Sequence, residues 1–357
     1  MTVPEDAGEF EAVAQQWQWS FRFPGDDGVM GQSAVRLMTI ENPFGLDPED
    51  ENGLDDVLVF GNEVHLPVGK PMKALLRSKD VLHNFAVPQF RVKMDLVPGL
   101  VTYLWFEPTK AGRFDLLCEE YCGLAHHTMR GDVVIEEQAD FDIWLAAQPT
   151  FADTLAIPVA DATAGQALYA PCAACHGMQG EGNLALNAPK LSGQEGWYLR
   201  RQLNNYKNGR RGTDPADMFG AQMAAMAGTL PNAAAVNNVI AYIQTLPDLP
   251  AAATISGDVD RGESLYLTCA ACHGRDAMGI WSVSAPRQAG MSDWYLATQL
   301  RNFRSGLRGT HPQDGYGEQM ASMSMMLLDD AAINDVLAYI NTLPVDDKPR
   351  QVAILER

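Results

Sequence analysis

The sequence predicts a multidomain protein with a β-sandwich in its first half and two all-α domains in its second half. The first half is rich in β-branched and aromatic residues set between Pro and Gly turns, which is the composition of many short strands. The second half repeats itself at an offset of 97 residues, and helical periodicity recurs in both copies. With 357 residues the chain is long enough for three cores, and the predicted domains are residues 1–150, 151–250 and 251–357.

The strand prediction rests on short runs rich in β-branched, aromatic and other apolar residues, such as VLVF, EVHLP and MKALL, separated by turn residues. Regularly spaced short strands are typical of a sandwich. The acidic stretch Pro43–Asp56 predicts an exposed loop, and ADFDIWLAAQ predicts a short helix leading out of the domain. Two segments rich in Pro and Ala, Thr150–Asp161 and Leu246–Ser256, are predicted to be the linkers.

Each copy of the repeat predicts three helices. In the first copy their sequences are TAGQALYAPCAACHG, GWYLRRQLNNYKNG and AAAVNNVIAYIQTL, of which the second stops at Gly209 and the third at Pro247. Two copies are too few for a solenoid, so the pattern indicates a duplicated domain.

The net charge is −19, and most of it lies in the first 150 residues, which hold 25 acidic and 11 basic residues. Such a surface repels nucleic acid and favours a basic protein partner, or simply keeps the protein soluble. No apolar run reaches the roughly 18 residues of a membrane span, and no signal-peptide pattern follows Met1.

The hexapeptide CAACHG occurs twice, at Cys172–Gly177 and at Cys269–Gly274. C-x-x-C-H is the attachment signature of c-type haem. Two thiols three residues apart at a helix end can bond both vinyl groups of one haem, and the adjacent histidine then reaches the iron. The sequence therefore predicts two covalently bound haem c groups, held by Cys172, Cys175 and His176 and by Cys269, Cys272 and His273.

A methionine in each copy is expected as the second iron ligand, because a thioether opposite histidine raises the haem potential and suits electron transfer. Met223 and Met320 stand at matching positions of the two copies. Spacing alone leaves the choice open, since methionine is a common core filler and Met218, Met226 and Met323 lie nearby. Residues 155–345 resemble tandem class I cytochromes c, and this resemblance implies Met223 and Met320 as ligands.

The stretch CEEYCGLAHHTM, from Cys118 to Met129, indicates a copper site. Thiolates, imidazoles and a thioether together select copper over magnesium or calcium. The two cysteines stand four residues apart on a loop between predicted strands, as in the ligand loop of a cupredoxin with one extra cysteine. Two thiolates can bridge two copper ions, and the further imidazole that such a centre needs is supplied by His83 in VLHNFAVP.

Residues 14–147 resemble subunit II of the haem–copper cytochrome oxidases. The resemblance rests on C-x-E-x-C-x-x-x-H-x-x-M, on VLHNFAVP and on WQWSF. It implies a binuclear copper centre, CuA, and it also implies that the Glu120 carboxylate helps to bind magnesium at the seam with the catalytic subunit. Trp17 resembles the surface aromatic residue where electrons enter. The implied CuA ligands are His83, Cys118, the Glu120 carbonyl, Cys122, His126 and Met129.

Two other interpretations of this loop stay open. A Cys118–Cys122 disulfide would leave the His and Met spacing unexplained. Nitrous oxide reductase carries a similar loop, usually with Trp in place of Glu120, together with a large histidine-rich domain. The remaining histidines, His65, His127 and His311, are interpreted as a strand residue, a neighbour of the ligand and a surface residue.

These resemblances imply the electron-transfer subunit of a haem–copper terminal oxidase. Electrons would arrive from an external donor, either a cytochrome c or an upstream complex, and pass through the c-type haems and CuA to catalytic subunit I. The chain would act as part of cytochrome c oxidase, without an oxygen-reducing site of its own. Subunit II normally begins with two membrane helices, so we expect a soluble fragment from the periplasmic side of the bacterial cytoplasmic membrane. The alternative is a free-standing soluble carrier with two haems and CuA.

Overall fold

The first of two compact units, Met1–Ile157, is a sandwich of two five-stranded sheets. The structure is a computed structural model, and it describes residues 2–38, 42–155, 160–280 and 283–345. The strands are β1 Gly8–Gln15, β2 Gln18–Phe23, β3 Val57–Phe60, β4 Glu63–Pro67, β5 Met72–Ser78, β6 His83–Val87, β7 Val92–Leu96, β8 Thr102–Phe106, β9 Gly112–Leu117 and β10 Arg130–Glu136. One sheet has the order β3-β2-β1-β5-β8 and the other has the order β4-β10-β9-β6-β7. The β-sandwich prediction is therefore confirmed.

Aromatic side chains from both sheets meet in the core of the sandwich. Phe85 on β6 lies 5.9 Å from Trp19 on β2 and 6.5 Å from Phe10 on β1, measured between ring centroids. All three rings are fully buried. Because residues two apart on a strand share one face, these inward positions alternate with positions that face the outside of the sandwich.

The outer face of the first sheet is also covered. Phe44 and Leu46 from the connection between β2 and β3 pack with Val13, Leu58 and Phe151 in one buried cluster. The prediction that Pro43–Asp56 is an exposed loop is therefore wrong for Phe44 and Leu46. The acidic composition of the stretch predicts exposure and gives no sign that these two apolar side chains are buried. A short helix, α1 Glu51–Leu54, ends this connection.

Buried charges tie the same connection to the sheet. Arg22 on β2 donates to Glu11 at 2.9 Å, to Asp56 at 2.7 Å and to the Gly31 carbonyl at 2.9 Å. Arg77 on β5 also donates to Glu11. Since a buried charge is costly unless it is paired, this network fixes the path of the connection.

Two helices follow the sandwich, α2 Gln138–Ala146 and α3 Phe151–Leu155. The first confirms the helix predicted in ADFDIWLAAQ. The second lies inside the predicted linker Thr150–Asp161, where Phe151 is buried and its N–H donates to the Asp56 carbonyl at 2.9 Å. That end of the segment is thus part of the first unit, and residues 156–159 lie outside the described residues.

The second unit, Pro158–Arg357, consists of two copies of a four-helix arrangement. The predicted helices are present in both copies, and each copy adds a helix that carries the candidate methionine. No described helix is long and apolar enough to cross a membrane. The helices are α4 Ala162–His176, α5 Gly196–Lys207, α6 Met218–Gly228, α7 Ala233–Ile243, α8 Val259–His273, α9 Asp293–Ser305, α10 Gly315–Ser324 and α11 Asp330–Ile340.

In each copy the first and last helices cross at a glycine. A Cβ on Gly165 of α4 would overlap the Asn238 carbonyl of α7, and a Cβ on Gly262 of α8 would overlap the Asp335 carbonyl of α11. Only glycine permits this close approach of two backbones. The C-terminal ends of α4 and α8, which carry the C-x-x-C-H motifs, pack against the core of each copy through Cys172 and Cys269.

The two helical copies are joined by a network that follows their internal symmetry. Arg211 donates to Tyr295 at 2.8 Å and to Gln299 at 2.7 Å in the second copy. Arg308, at the matching repeat position, donates to Gln202 at 2.8 Å in the first copy. Both arginines are buried, so this seam is part of the interior of the unit.

Candidate copper and haem sites

The candidate copper loop lies at one end of the second sheet. It connects β9, which ends at Leu117, to β10, which begins at Arg130, and β6 brings His83 beside it. Antiparallel pairing of Arg130 with Leu117 closes the base of the loop. The sheet therefore holds both ends of a twelve-residue loop that is otherwise irregular, and the site depends on the register of these strands.

Sulfur and nitrogen atoms converge inside this loop. The Cys118 and Cys122 sulfurs lie 3.7 Å apart, and His83 Nδ1 is 3.9 Å from the Cys118 sulfur. His126 Nδ1 and the Met129 sulfur lie 3.4 Å and 3.8 Å from the Cys122 sulfur. The Glu120 carbonyl oxygen is 3.2 Å from the Cys118 sulfur. Among the described residues, His83, Cys118 and Cys122 form the cluster of His, Cys and acidic groups that is tight enough to hold a metal ion.

The pKa values of the two thiols are shifted in opposite directions. A hydrogen bond from the Cys122 thiol lowers the pKa of Cys118 to about 4, although burial opposes ionisation. The same interaction, together with burial, raises the pKa of Cys122. The first of these shifts favours the thiolate form of Cys118, and neither cysteine forms a disulfide. This donor set of two sulfurs, two imidazoles, a thioether and a carbonyl fits copper.

Asp80 orients His83, although Asp80 belongs to none of the sequence motifs that indicate the copper site. Its Oδ1 lies 2.8 Å from His83 Nε2, on the side of the ring away from Cys118. Burial acts to lower the pKa of His83, but the bonds to Asp80 and Cys118 leave it raised. A carboxylate on the far nitrogen of a ligating imidazole fixes the ring and increases its basicity.

Trp17 and Gln16 hold the Cys122 peptide from the other sheet. The Trp17 indole donates to the Cys122 carbonyl at 3.2 Å, and the Gln16 amide donates to the same oxygen at 2.7 Å. Gly123 has a φ of +121°, and a Cβ there would lie 2.7 Å from the Gln16 amide nitrogen. Trp17 is only 4% exposed, because packing against the copper loop buries its ring, so the expected surface position is wrong. Electron entry through Trp17 stays a prediction.

Tyr121, one residue before Cys122, is the aromatic residue that this loop exposes. It is 74% exposed, and its ring packs edge-on against His126 with centroids 5.8 Å apart. His127 is exposed beside the half-buried His126. His65 lies in β4, between Glu63 and Glu136, and stacks on Trp144 at 4.4 Å. These positions agree with the interpretation of His127 as a neighbour and His65 as a strand residue.

Each C-x-x-C-H motif ends a helix, and its histidine is oriented by a proline carbonyl. His176 Nδ1 lies 2.7 Å from the Pro189 oxygen, and His273 Nδ1 lies 2.7 Å from the Pro286 oxygen. Burial lowers the pKa of both histidines, so the rings are neutral and Nδ1 carries the proton. The other nitrogen of each ring, Nε2, is then left with its lone pair.

The second histidine provides the test of whether a haem iron fits. Nε2 of His273 is buried and has no hydrogen-bond partner among the described residues. A buried nitrogen without a partner is costly, and a metal ion would remove that cost. The four cysteines of the motifs, Cys172, Cys175, Cys269 and Cys272, are free thiols, as thioether attachment requires.

The candidate methionines lie on the helices between the second and last predicted helices of each copy. Met223 on α6 and Met320 on α10 are both half-buried. Met226 is 38% exposed and Met218 is 60% exposed, so burial favours Met223 in the first copy. In the second copy Met323 is also half-buried, and burial does not separate it from Met320.

Comparison with known proteins identifies the class that the fold and these donor sets define. Residues 9–137 match the family described as cytochrome c oxidase subunit II, periplasmic domain. Residues 162–247 and 259–344 each match the cytochrome c family. The chain therefore consists of a cytochrome c oxidase subunit II periplasmic domain followed by two cytochrome c domains, as the sequence resemblances predict.

Parts of the chain are similar to particular known proteins. An alternative cytochrome c oxidase subunit 2 from Bradyrhizobium diazoefficiens is 56% identical over 152 residues, which is 43% of this chain and 55% of the relative. A cytochrome c oxidase subunit 2 from Thermostichus vulcanus is 39% identical over 100 residues, 28% of this chain and 30% of the relative. The chain thus spans about half or less of the length of these relatives. Reduced cytochrome c4 from Pseudomonas stutzeri matches 52% of this chain and 100% of its own, at 28% identity and a TM-score of 0.42.

Proposed function

We propose that the first unit binds a binuclear copper centre. The observation that supports it most directly is the convergence of the two cysteine sulfurs with two imidazole nitrogens in a buried loop. Soft sulfur donors stabilise copper, and two bridging thiolates can hold two ions. The proposed ligands are His83, Cys118, the Glu120 carbonyl, Cys122, His126 and Met129.

The second unit would hold two haem c groups. The orphan Nε2 of His273 and the neutral rings of both histidines support this part of the proposal. Bound copper and haem would supply single-electron transfer, and the protein would hold them apart from water and in fixed orientation. The proposed haem ligands are Cys172, Cys175, His176 and Met223, and Cys269, Cys272, His273 and Met320.

Together these sites suit the electron-transfer part of a haem–copper terminal oxidase. Electrons would come from an external donor to the haems, pass to CuA and continue to the catalytic subunit, on the periplasmic side of the membrane. The acidic first unit would favour a basic partner surface. The half-buried Glu120 side chain would help to bind magnesium at the seam with the catalytic subunit.

Metal analysis and electron paramagnetic resonance test this proposal. We expect two coppers and two haems per chain, and a seven-line copper signal because one unpaired electron is shared by two copper nuclei. His126→Ala should abolish that signal, while the matched control His127→Ala should retain it, since His127 is exposed. A four-line signal from one copper would contradict the binuclear centre.

A second experiment separates the oxidase subunit from a free-standing carrier. The loaded protein is added to the catalytic subunit of the oxidase, and single-turnover electron transfer from the copper centre is measured. Transfer in the stoichiometric complex supports the oxidase. A loaded protein that neither binds the catalytic subunit nor passes electrons to it favours the carrier.

A further inference from the structure

The peptide groups that follow Pro189 and Pro286 connect the haem-binding histidines to the opposite helical copy. The Pro189 carbonyl accepts the His176 Nδ1 proton, and the N–H of the same peptide group, on Lys190, donates to Ser292 Oγ at 3.1 Å. In the second copy, the Pro286 carbonyl accepts from His273. The N–H of that peptide group, on Arg287, donates to Glu195 Oε2 at 3.1 Å.

These two connections are equivalent in the repeat but differ in chemistry. Glu195 and Ser292 occupy the same repeat position, and each is the N-cap residue that precedes the second helix of its copy, α5 or α9. The peptide group of the second copy therefore donates to a carboxylate, whereas that of the first copy donates to a hydroxyl. A hydrogen bond to a charged acceptor is roughly twice as strong as a neutral one.

The side chains of Lys190 and Arg287, the two residues that carry these N–H groups, are anchored by ion pairs. The Lys190 ammonium lies 2.7 Å from Asp248 Oδ1, and the Arg287 guanidinium binds the other oxygen of the same carboxylate. Both cationic side chains are buried, at 1% and 3% exposure. The Arg287 guanidinium also donates to the Gly193 carbonyl at 2.9 Å. One carboxylate on the segment between the copies thus anchors the side chains of both residues across the seam.

We propose that Glu195 and Ser292 are positioning residues that set unequal reduction potentials for the two haems, with the haem on His273 the lower. This inference rests on the proposed function, since it requires haem on both histidines. Hydrogen bonds in a chain polarise one another. A carboxylate on the Arg287 N–H makes the Pro286 carbonyl a stronger acceptor, and His273 becomes a more electron-rich ligand. An electron-rich imidazole stabilises ferric iron and lowers the potential.

The proposed difference in reduction potential also sets the direction of electron transfer between the two haems. Electrons move spontaneously from the lower to the higher potential, so the haem of the second copy would donate to the haem of the first. The connection from His176 ends on a hydroxyl, which polarises the Pro189 carbonyl less. Glu195 of the first copy acts on His273, and Ser292 of the second copy acts on His176. Because these two residues differ, the two copies of one domain have distinct roles, donor and acceptor.

The test is a spectroelectrochemical titration of the full chain with both haems bound. Glu195→Gln keeps an oxygen acceptor but removes the charge, and it should raise the potential of the haem on His273 while leaving the other unchanged. Ser292→Ala should raise the potential of the haem on His176, without any change of charge. The control Glu263→Gln removes an exposed carboxylate from α8 and should move neither potential.

Nuclear magnetic resonance shows whether the histidine itself responds. The hyperfine-shifted ring protons of His273 should move in Glu195→Gln, and those of His176 should move in Ser292→Ala. Bound haem with unmoved potentials and unmoved ring protons in both variants would overturn this inference alone. Equal shifts of both haems in Glu195→Gln would also overturn it. A chain that binds no haem would overturn the proposed function as well.

Discussion

Single residues outside the motifs determine much of the geometry at the copper loop. Asp80 orients His83 from the far side of its ring. Gly123 leaves room for Gln16 and Trp17 to bind the Cys122 carbonyl. The motif therefore supplies the donors, and residues with no motif of their own hold those donors in place. A substitution at these supporting positions should change the site without removing a ligand.

The choice of methionine ligand is testable in the first helical copy. Met223→Leu removes the thioether and should convert the haem on His176 to high spin, which is half of the haem in the protein. The matched control Met226→Leu, one turn further along α6 at an exposed position, should leave both haems low spin. Optical spectra of the ferric protein measure the outcome. A high-spin signal from Met226→Leu instead would transfer the ligand assignment to Met226.

Asp56 should make the stability of the first unit depend on pH. Burial raises its pKa from 3.8 to about 6, although Arg22 and the Gly31 N–H act to lower it. The folded state thus holds a proton that the unfolded state releases. The contribution of Asp56 to the free energy of unfolding is complete below about pH 4 and falls by about 3 kcal/mol as the pH rises through 6.

The comparison for this prediction is Asp56→Asn, which does not titrate. Both full-length proteins are unfolded in urea at several pH values, and pulsed hydrogen exchange of the amides in residues 8–60 reports the unfolding of the first unit. The urea dependence gives the free energy of unfolding for each protein. The stability of the unsubstituted protein relative to Asp56→Asn should fall between pH 4 and pH 6. Parallel curves for the two proteins across this range would contradict the pKa shift.

At the scale of elements, the two helical copies are held together by paired charges and by the symmetric arginine network. The segment after α7 takes part in this seam, because Asp248 lies on it and the Ala251 N–H donates to the Gly290 carbonyl at 3.0 Å. The Thr254 and Ile255 N–H groups donate to Asp293 at 2.7 Å and 2.8 Å. The predicted linker Leu246–Ser256 is therefore a fixed connection between the copies.

Removal of the shared carboxylate should destabilise this seam. Asp248→Ala leaves the buried Lys190 and Arg287 without their ion partner, and we expect it to lower the free energy of unfolding of the helical unit by about 3 kcal/mol. Asp330→Ala is the control, because Asp330 is 65% exposed and its pairs with Arg301 and Arg304 contribute about 1 kcal/mol or less. Denaturant unfolding followed by circular dichroism compares them. Equal losses in both variants would show that the buried pairing is unimportant.

At the scale of the whole molecule, fusion of the two units in one chain should make electron transfer between them independent of protein concentration. A covalent connection replaces a diffusional encounter with an effective local concentration on the order of millimolar. In the full chain, the rate of copper reduction by haem should stay constant over a roughly tenfold dilution. Stopped-flow absorbance measures both centres.

The contrasting sample is a mixture of the two units separated after Ile157. Their reaction should slow in proportion to dilution, because the partners must then meet by diffusion. If the full chain also slowed on dilution, transfer would be occurring between molecules, and the fusion would have no kinetic role.

The fold class, the duplication and the chemical types of the candidate donors were all predictable from the amino-acid sequence. Strand composition, helical periodicity and the cysteine motifs are patterns within short segments, and the duplication is visible as direct self-similarity of the sequence. The prediction that the cysteines lie near the end of the first helix of a copy agrees with the structure, because helical periodicity is itself a local pattern. The burial of Phe44, Leu46 and Trp17 was not predictable, because it depends on residues distant in the chain.

The side chains that support the candidate donors could be identified only after the chain was folded. The contacts of Trp17 with Cys122, of Lys190 with Ser292 and of Arg287 with Glu195 join residues about a hundred positions apart. Such contacts arise from the packing of whole sheets and helices, and no local pattern in the sequence encodes them. The sequence therefore predicts what the sites bind, and the packing decides how the donor side chains are oriented and how the surroundings of His176 and His273 differ.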